Sequence, residues 1–294
     1  MKITLLILAV LVIAAACWQH LRYLGERRDA AQDTQPMVYG GEAFHLILFL
    51  RTEADTDDAA LAALRNVKMA SEPDLQWIYA GRVAANGGHS TQLGQINWTA
   101  TALLQASTRA KAEQALAGKL GQALAEYPQV HVQGFVRPVL INLVFPQVLG
   151  LRRLWALVRG EPSSFPFTPR EADWTMPEAP TIAAQILRGE SLNRQAAVVV
   201  NISSPGNAEQ QANDEAYAGR MLNSMAEGGY GPIHIGQAVR VMGEAEFETV
   251  AIVYYPGVRF FGDMIQSDFF QSIIGGKQLG DNQSTITVPV LNLL

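Results

Sequence analysis

Cysteine is almost missing from this chain. Cys17 is the only one among 294 residues, so neither an intrachain disulfide nor a cysteine-based metal cluster can form. Charge is scarce too: charged residues make up 17% of the chain and the formal net charge is −5. Nucleic-acid binding rests on a basic field, and without one no nucleic-acid partner is expected. Catalytic signatures that can be read from spacing are also missing. There is no G-x-x-x-x-G-K-S/T phosphate loop, no G-x-S-x-G nucleophile turn, no H-E-x-x-H, and no cysteine–histidine pair in the body. On that reading no metal and no cofactor is expected, and an enzyme is the less favoured class.

Apolar residues are what the chain has in quantity. They make up 49% of it, enough for packed cores rather than global disorder. The length suits about two domains of roughly 100–200 residues each. At the N-terminus, Ile3 to Trp18 is apolar except for Thr4, with Lys2 in front. A spanning helix needs roughly 20 such residues, and Trp18, Leu21 and Tyr23 extend the run with side chains suited to an interface. Residues 1–23 therefore read as a single-pass anchor in a bacterial-type inner membrane. Two alternatives stay open: a cleaved signal, given the small residues Ala14-Ala15-Ala16, and a lipoprotein signal at Cys17. Arg22, Arg27 and Arg28 outnumber Lys2 and the amino terminus. Positive flanks tend to stay inside, which favours a cytoplasmic body. Residues 24–42 are polar, contain Pro36 and Gly40-Gly41, and read as a tether.

Residues 43–137 follow a β-α-β-β-α-β order. Strands are expected at Phe44–Leu50, Leu75–Ala84, Gln95–Leu104 and Val130–Val136, with one helix starting within Asp55-Thr56-Asp57-Asp58 and running to about Ser71, and another over Thr108–Tyr127. Asn86-Gly87-Gly88 reads as a turn. Residues 195–294 repeat the order, with strands at Ala196–Ile202, Ile233–Met242, Phe247–Tyr255 and Thr285–Leu291. A repeated order indicates duplication, although the two halves share almost no residues in register. The unit is the ferredoxin-like split βαβ. Its antiparallel sheet carries helices on one face and needs cover on the other. The expected fold is thus α+β: two tandem ferredoxin-like units closing an intrachain barrel, a pseudo-dimer complete in one monomer.

Residues 138–194 join the blocks. Val139 to Arg159 is apolar, interrupted by Pro146 and Gly150, and carries Arg152, Arg153, Trp155 and Arg159. A helix of that composition lies in a membrane surface or covers a domain seam, and both readings stay open. A proline-rich linker follows.

The second block carries a resemblance. Its features are Gly228-Gly229 after the first helix, the hairpin to Phe247, the strand end Val253-Tyr254-Tyr255-Pro256, and the helix pair over Met264-Ile265-Gln266-Ser267-Asp268-Phe269-Phe270. Together these resemble domain of unknown function 1330, a family of the dimeric α+β-barrel superfamily, over about residues 195–290. The resemblance implies the fold and a pocket between sheet and helices, and no established reaction. At Gly275-Gly276-Lys277 the chain departs from the family, which tends to carry a histidine and an arginine there.

Among side chains that could do chemistry, His234 stands out. It alternates with Ile233 and Ile235 at the start of a strand, so it faces away from them. Tyr217, Arg220, Tyr254 and Tyr255 are candidates for the same neighbourhood, a pocket suited to a small carboxylate or phenolic ligand. His45, like His131, is a sheet-facing imidazole that suits a general base or a heme ligand. Ordinary packing competes for each of them. Two function classes follow. The first is a membrane-tethered, non-catalytic small-ligand-binding or interaction module. The alternative is a small-molecule enzyme of the α+β-barrel type: a monooxygenase, an isomerase or a heme-degrading protein. Fold alone does not choose between them.

Overall fold

The computed structural model describes residues 2–36, 38–187 and 196–294. Eight strands form its centre: β1 (Phe44–Arg51), β2 (Gln76–His89), β3 (Ala100–Ala106), β4 (Gln129–Val136), β5 (Ala197–Ser203), β6 (Gly231–Arg240), β7 (Thr249–Tyr255) and β8 (Asn282–Pro289). They close a barrel in the order β1-β3-β2-β8-β5-β7-β6-β4. Every neighbouring pair is antiparallel, and closure leaves no strand edge unpaired. Read by halves, the order is β4-β1-β3-β2 and β8-β5-β7-β6, the same ferredoxin-like sequence twice. The β2–β8 and β4–β6 pairs are the seams.

One seam overturns a reading of the sequence. Asn86-Gly87-Gly88 is strand rather than turn, because it pairs with Thr285, Ser284 and Gln283 of β8. Gly88 has φ +84°, and a Cβ there would meet Asn282 Oδ1 at 2.6 Å, so the turn-like residue serves a close approach between strands. The helix expected over 108–127 is also broken. It divides into α3 (Arg109–Ala117) and α4 (Lys119–Leu124), where a Cβ on Gly121 would lie 1.8 Å from the Leu116 carbonyl oxygen.

Alternation along the strands sorts side chains into two chambers. On β1, Phe44, Leu46, Leu48 and Leu50 face outward onto α2 (Asp57–Ala70), α3 and α4. Thr56 caps α2, its side chain accepting from the Ala59 N–H, with Asp57 and Asp58 in the first turn. Ile47 and Phe49 point inward and meet Val198, Val200, Ile202, Val250 and Ile252 from the other half. Trp98 and Phe247 are buried at one end of that interior, against Phe49 and His131.

The N-terminal segment closes the other end. α1 runs from Lys2 to Ala31, about 45 Å at roughly 1.5 Å per residue. Ile7, Val10, Leu11, Val12 and Ile13 are exposed, whereas His20, Tyr23, Leu24, Arg27 and Ala31 are buried. Asp33, Gln35 and Tyr39 are buried as well, and the Thr34 N–H donates to the Ile78 carbonyl at 2.8 Å. The described part of the segment read as a tether, residues 24–36 and 38–42, is therefore a plug: Leu24, Arg27, Ala31, Asp33, Gln35 and Tyr39 are buried. The cause is pairing with the barrel: the Tyr23 hydroxyl donates to the Pro232 carbonyl, the Arg27 guanidinium to the Gly229 carbonyl at 3.4 Å, and Asp33 bonds His234 inside the barrel.

α5 (Val139–Arg159) lies beside α1, with Gln147 Nε2 donating to the Ala16 carbonyl at 3.0 Å and Gln19 Nε2 to that of Pro146 at 3.4 Å. It also crosses α7 (Ala208–Gly228), where Arg152 donates to Asn223. α7 opens on a reciprocal capping box between Asn207 and Gln210. The seam-covering role of α5 thus has real contacts, yet Leu140, Val144, Leu151, Leu154, Leu157 and Val158 stay exposed. Among the described residues, α5 is the one helix long and apolar enough to cross a membrane. The proline-rich stretch after it is docked rather than loose. Phe165 and Phe167 pack on Phe260, and α6 (Ala179–Ile186) packs on α8 (Val258–Ile265). The expected boundary at 194/195 falls outside the described residues. After β7 the chain turns at Pro256 into α8 and α9 (Asp268–Ile273), as the strand–proline–helix–helix pattern predicts.

Candidate functional site

On β5, Val199, Asn201 and Ser203 alternate with the inward residues and therefore face outward, beneath α7. A cavity of about 740 Å³ opens there, within the size range of small-molecule sites. Its floor is the outer face of β5, β7 and β8, including Ala251, Val253, Tyr255 and Ile286. Its roof is one face of α7, where Asp214, Tyr217, Met221 and Met225 follow helical spacing. Phe261, Met264 and Phe270 from α8 and α9 form a wall, and Lys277 enters from the turn that follows α9.

Some polar groups of the floor are used up within the protein. Ser284 Oγ donates to Asn201 Oδ1 at 2.6 Å, and Asn201 Nδ2 donates to the Ala251 carbonyl at 3.1 Å. Among the described residues, the lining side chains of Lys277, Asp214, Tyr217 and Tyr255 make no hydrogen bond and no ion pair, and neither do those of Thr175, Glu178, Ser203 and Thr249. Burial lowers the proton affinity of the Lys277 amine, opposed by the charge of Asp214. Burial raises that of the Asp214 carboxyl, opposed by Lys277. Burial also pushes both phenols well above their ordinary range, so each keeps its hydroxyl proton and stays a donor. The Tyr255 ring is held by stacking on Tyr230 at 5.2 Å and by the edge of Phe261 at 4.8 Å. The cavity thus offers a cation, an acid and two hydroxyl donors within a lining that is mostly apolar.

The candidates read from the sequence fall into different places. Tyr217 and Tyr255 line the cavity. Arg220 lies on the exposed side of α7, donating to Ser272 Oγ at 3.3 Å, outside the lining. His234 does face away from Ile233 and Ile235, but that direction is the barrel interior. There it is fully buried, with its Nε2 2.7 Å from Asp33 Oδ2. Burial lowers its proton affinity, against the pull of Asp33 and with the help of Arg137. His45 is interior as well. Its Nε2–H donates to Gln105 Oε1 at 3.1 Å, its ring packs on Phe135, and burial lowers its pKa to about 3. Tyr254 belongs to the same chamber, its ring 4.9 Å from the Arg27 guanidinium carbon. The single pocket expected around His234 is therefore two environments separated by the sheet. No imidazole lines the cavity, so the residues present supply no histidine ligand for a heme there. Among the described residues no cluster of metal-ligating side chains occurs.

Lys277 and Asp214 escaped the sequence reading. Lys277 stood out only as a departure from a family pattern. Asp214 shares a helical face with Tyr217 and Met221, and that spacing was the signal available for it.

No protein-family model matches this chain, and no curated protein matches it. Solved structures with a similar course of chain exist. An anthrone oxidase-like protein is 11% identical, with 85% of this chain and 92% of its own covered, at a TM-score of 0.45. A chlorite dismutase variant from Candidatus Nitrospira defluvii is 12% identical, with 85% and 92% covered, at a TM-score of 0.43. Likeness at that level assigns this chain no ligand, reaction or residue role.

Proposed function

We propose that this protein is a small-ligand-binding module, and that its ligand occupies the cavity beneath α7. One observation carries the reading: in a cavity of about 740 Å³, Lys277, Asp214, Tyr217 and Tyr255 have no partner among the described residues. Tyr255 is buried and the other three are half-buried, and an acidic or phenolic molecule with a large apolar part would give them partners. Native mass spectrometry of the full chain, isolated from its source cell, tests this. A retained small molecule, depleted in Lys277→Met and Tyr217→Phe, is expected. An empty chain that also gains no thermal stability from benzoate or phenol overturns it.

A second reading, a small-molecule enzyme of the α+β-barrel type, is favoured by one feature. The proton affinity of Lys277 is lowered and that of Asp214 raised in one cavity, the direction that readies a pair for proton transfer. Turnover of a retained ligand that is lost in Asp214→Asn, with binding kept, would select this reading.

The matching strand order of the halves supports an origin by duplication. The course through Tyr255, Pro256, α8 and α9 supports kinship with domain of unknown function 1330. Attachment to an inner membrane through residues 3–21 is supported by the exposed apolar surface of α1, and contact through 139–159 by that of α5. Arg27 is buried against Tyr23, so the preference for a cytoplasmic body rests on Arg22 and Arg28. Sedimentation of the full chain with membranes through an alkaline wash, and its release by detergent, is the expected behaviour. Release by the wash alone would remove the anchor reading.

A further inference from the structure

The cavity is not chemically uniform along its length. Its roof residues on α7 run from Asp214 to Met225, about 16 Å at roughly 1.5 Å per residue. The N-terminal end of that run is polar. A Cβ on Gly276 would lie 3.4 Å from Tyr217 Cβ, and Asn213 Nδ2 donates to Gln278 Oε1 at 3.0 Å, so the turn bearing Lys277 abuts the part of α7 that bears Asp214. The C-terminal end is apolar. There Leu222 and Met225, with Phe145 of α5, pack against the cluster of Tyr23, Leu149 and Ala226, and Leu222, Met225 and Phe145 line the cavity.

On the roof, Ala218 and Gly219 line the cavity and are exposed to solvent, as Thr175, Pro177, Glu178 and Gly275 are at the polar end, and a Cβ on Gly219 would meet nothing within 4 Å. Near Phe145, α5 exposes Ile141, Val144 and Val148. An apolar surface therefore leads from the outside of α5 towards the apolar end of the cavity.

We propose that the ligand is a single-chain amphiphile with an acidic head, in chemical class a long-chain fatty acid, and that it passes through the gap at Ala218 and Gly219. The head lies at Lys277 and the Tyr217 hydroxyl, and the tail runs along α7 to Leu222, Met225 and Phe145. This rests on the cavity being a ligand site, as argued above. Lys277 supplies the counter-charge. Asp214 lies on the same face of α7 one turn before Tyr217, and burial raises the proton affinity of its carboxyl, opposed by Lys277, which lessens its repulsion of the head. Tail burial makes a length-dependent demand: each added methylene strengthens binding about fourfold, until the apolar end is filled.

The test uses the full chain in phosphatidylcholine nanodiscs and palmitic acid carrying a mid-chain diazirine. Expected are adducts on Met221, Met225 or Phe145, mapped by peptide mass spectrometry. Unlabelled palmitate competes, while methyl palmitate competes about tenfold less well. Lys277→Met lowers labelling about tenfold, and so does Gly219→Trp, which keeps the parent melting temperature. Asp214→Asn retains it. Adducts confined to α1 and the exposed face of α5, unchanged in Lys277→Met and Gly219→Trp, overturn the proposal. Competition by benzoate as strong as by palmitate, still dependent on Lys277, overturns the amphiphile and leaves the ligand site standing. No cavity adduct and no competition by either acid removes both.

Discussion

Beneath α2 the outer face of the sheet is filled. Phe44, Leu46, Leu48 and Leu50 meet Ala60, Ala63, Leu64 and Val67, all at most 3% exposed. Alanines at the contact let the helix approach the strands closely. Beneath α7 the corresponding face of the other half is hollow. There the helix carries Asp214, Tyr217 and Met221 over Asn201 and Val199, and the walls come from α8, α9 and the segment before α6. One strand order thus supports two outcomes. Where small apolar residues line the contact the face closes into core, and where large and ionisable residues line it a chamber remains. The difference explains why one half reads as scaffold and the other as site.

The largest test of that division concerns the interior shared by both halves. Burial lowers the pKa of His45 to about 3 and that of His131 to about 4. Both lie below the ordinary value of 6.5, so the unfolded chain binds more protons as pH falls through that window. Stability is therefore full above pH 6.5 and is lost on acidification towards pH 3–4. Between pH 7 and pH 5 the expected loss is about 2 kcal/mol per histidine. Denaturant titrations at both pH values measure it, and a His45→Gln/His131→Gln double variant should flatten the slope. Next comes Leu64→Ala in the filled half, expected to cost about 3 kcal/mol in the same titration. Asp33→Ala strips the buried partner from His234 and is expected to cost about 2 kcal/mol. An unchanged midpoint there would mean that the plug does not belong to the barrel. Smallest is Met221→Ala, at about 1 kcal/mol, because it enlarges space that already exists. A cost equal to that of Leu64→Ala would erase the contrast between the two faces.

How much of this could be read in advance depended on the reach of each interaction. Alternation and punctuation are local, so the β-α-β-β-α-β order and the turn from Tyr255 through Pro256 into two helices were legible. The orientation of His234 opposite Ile233 and Ile235 was legible as well. What alternation cannot say is which side of a closed sheet holds the cavity, and His234 went to the packed side. The remaining misreadings involve distant partners. Asp33 looked like part of a tether because its partner, His234, lies 201 residues away. Asn86-Gly87-Gly88 looked like a turn because the strand that straightens it starts at Asn282. Lys277 gained meaning only when the turn after α9 was placed against α7.

α1 is continuous from its exposed apolar turns to Ala31, and its last turns are locked to the barrel by Tyr23 donating to Pro232 and Arg27 to Gly229. Such a helix transmits torque: the barrel turns only when the helix turns. The gap at Ala218 and Gly219 then keeps one heading relative to whatever grips the first turns of α1. For a ligand confined to the same surface, the search for that gap loses a dimension, and arrival becomes a matter of lateral diffusion.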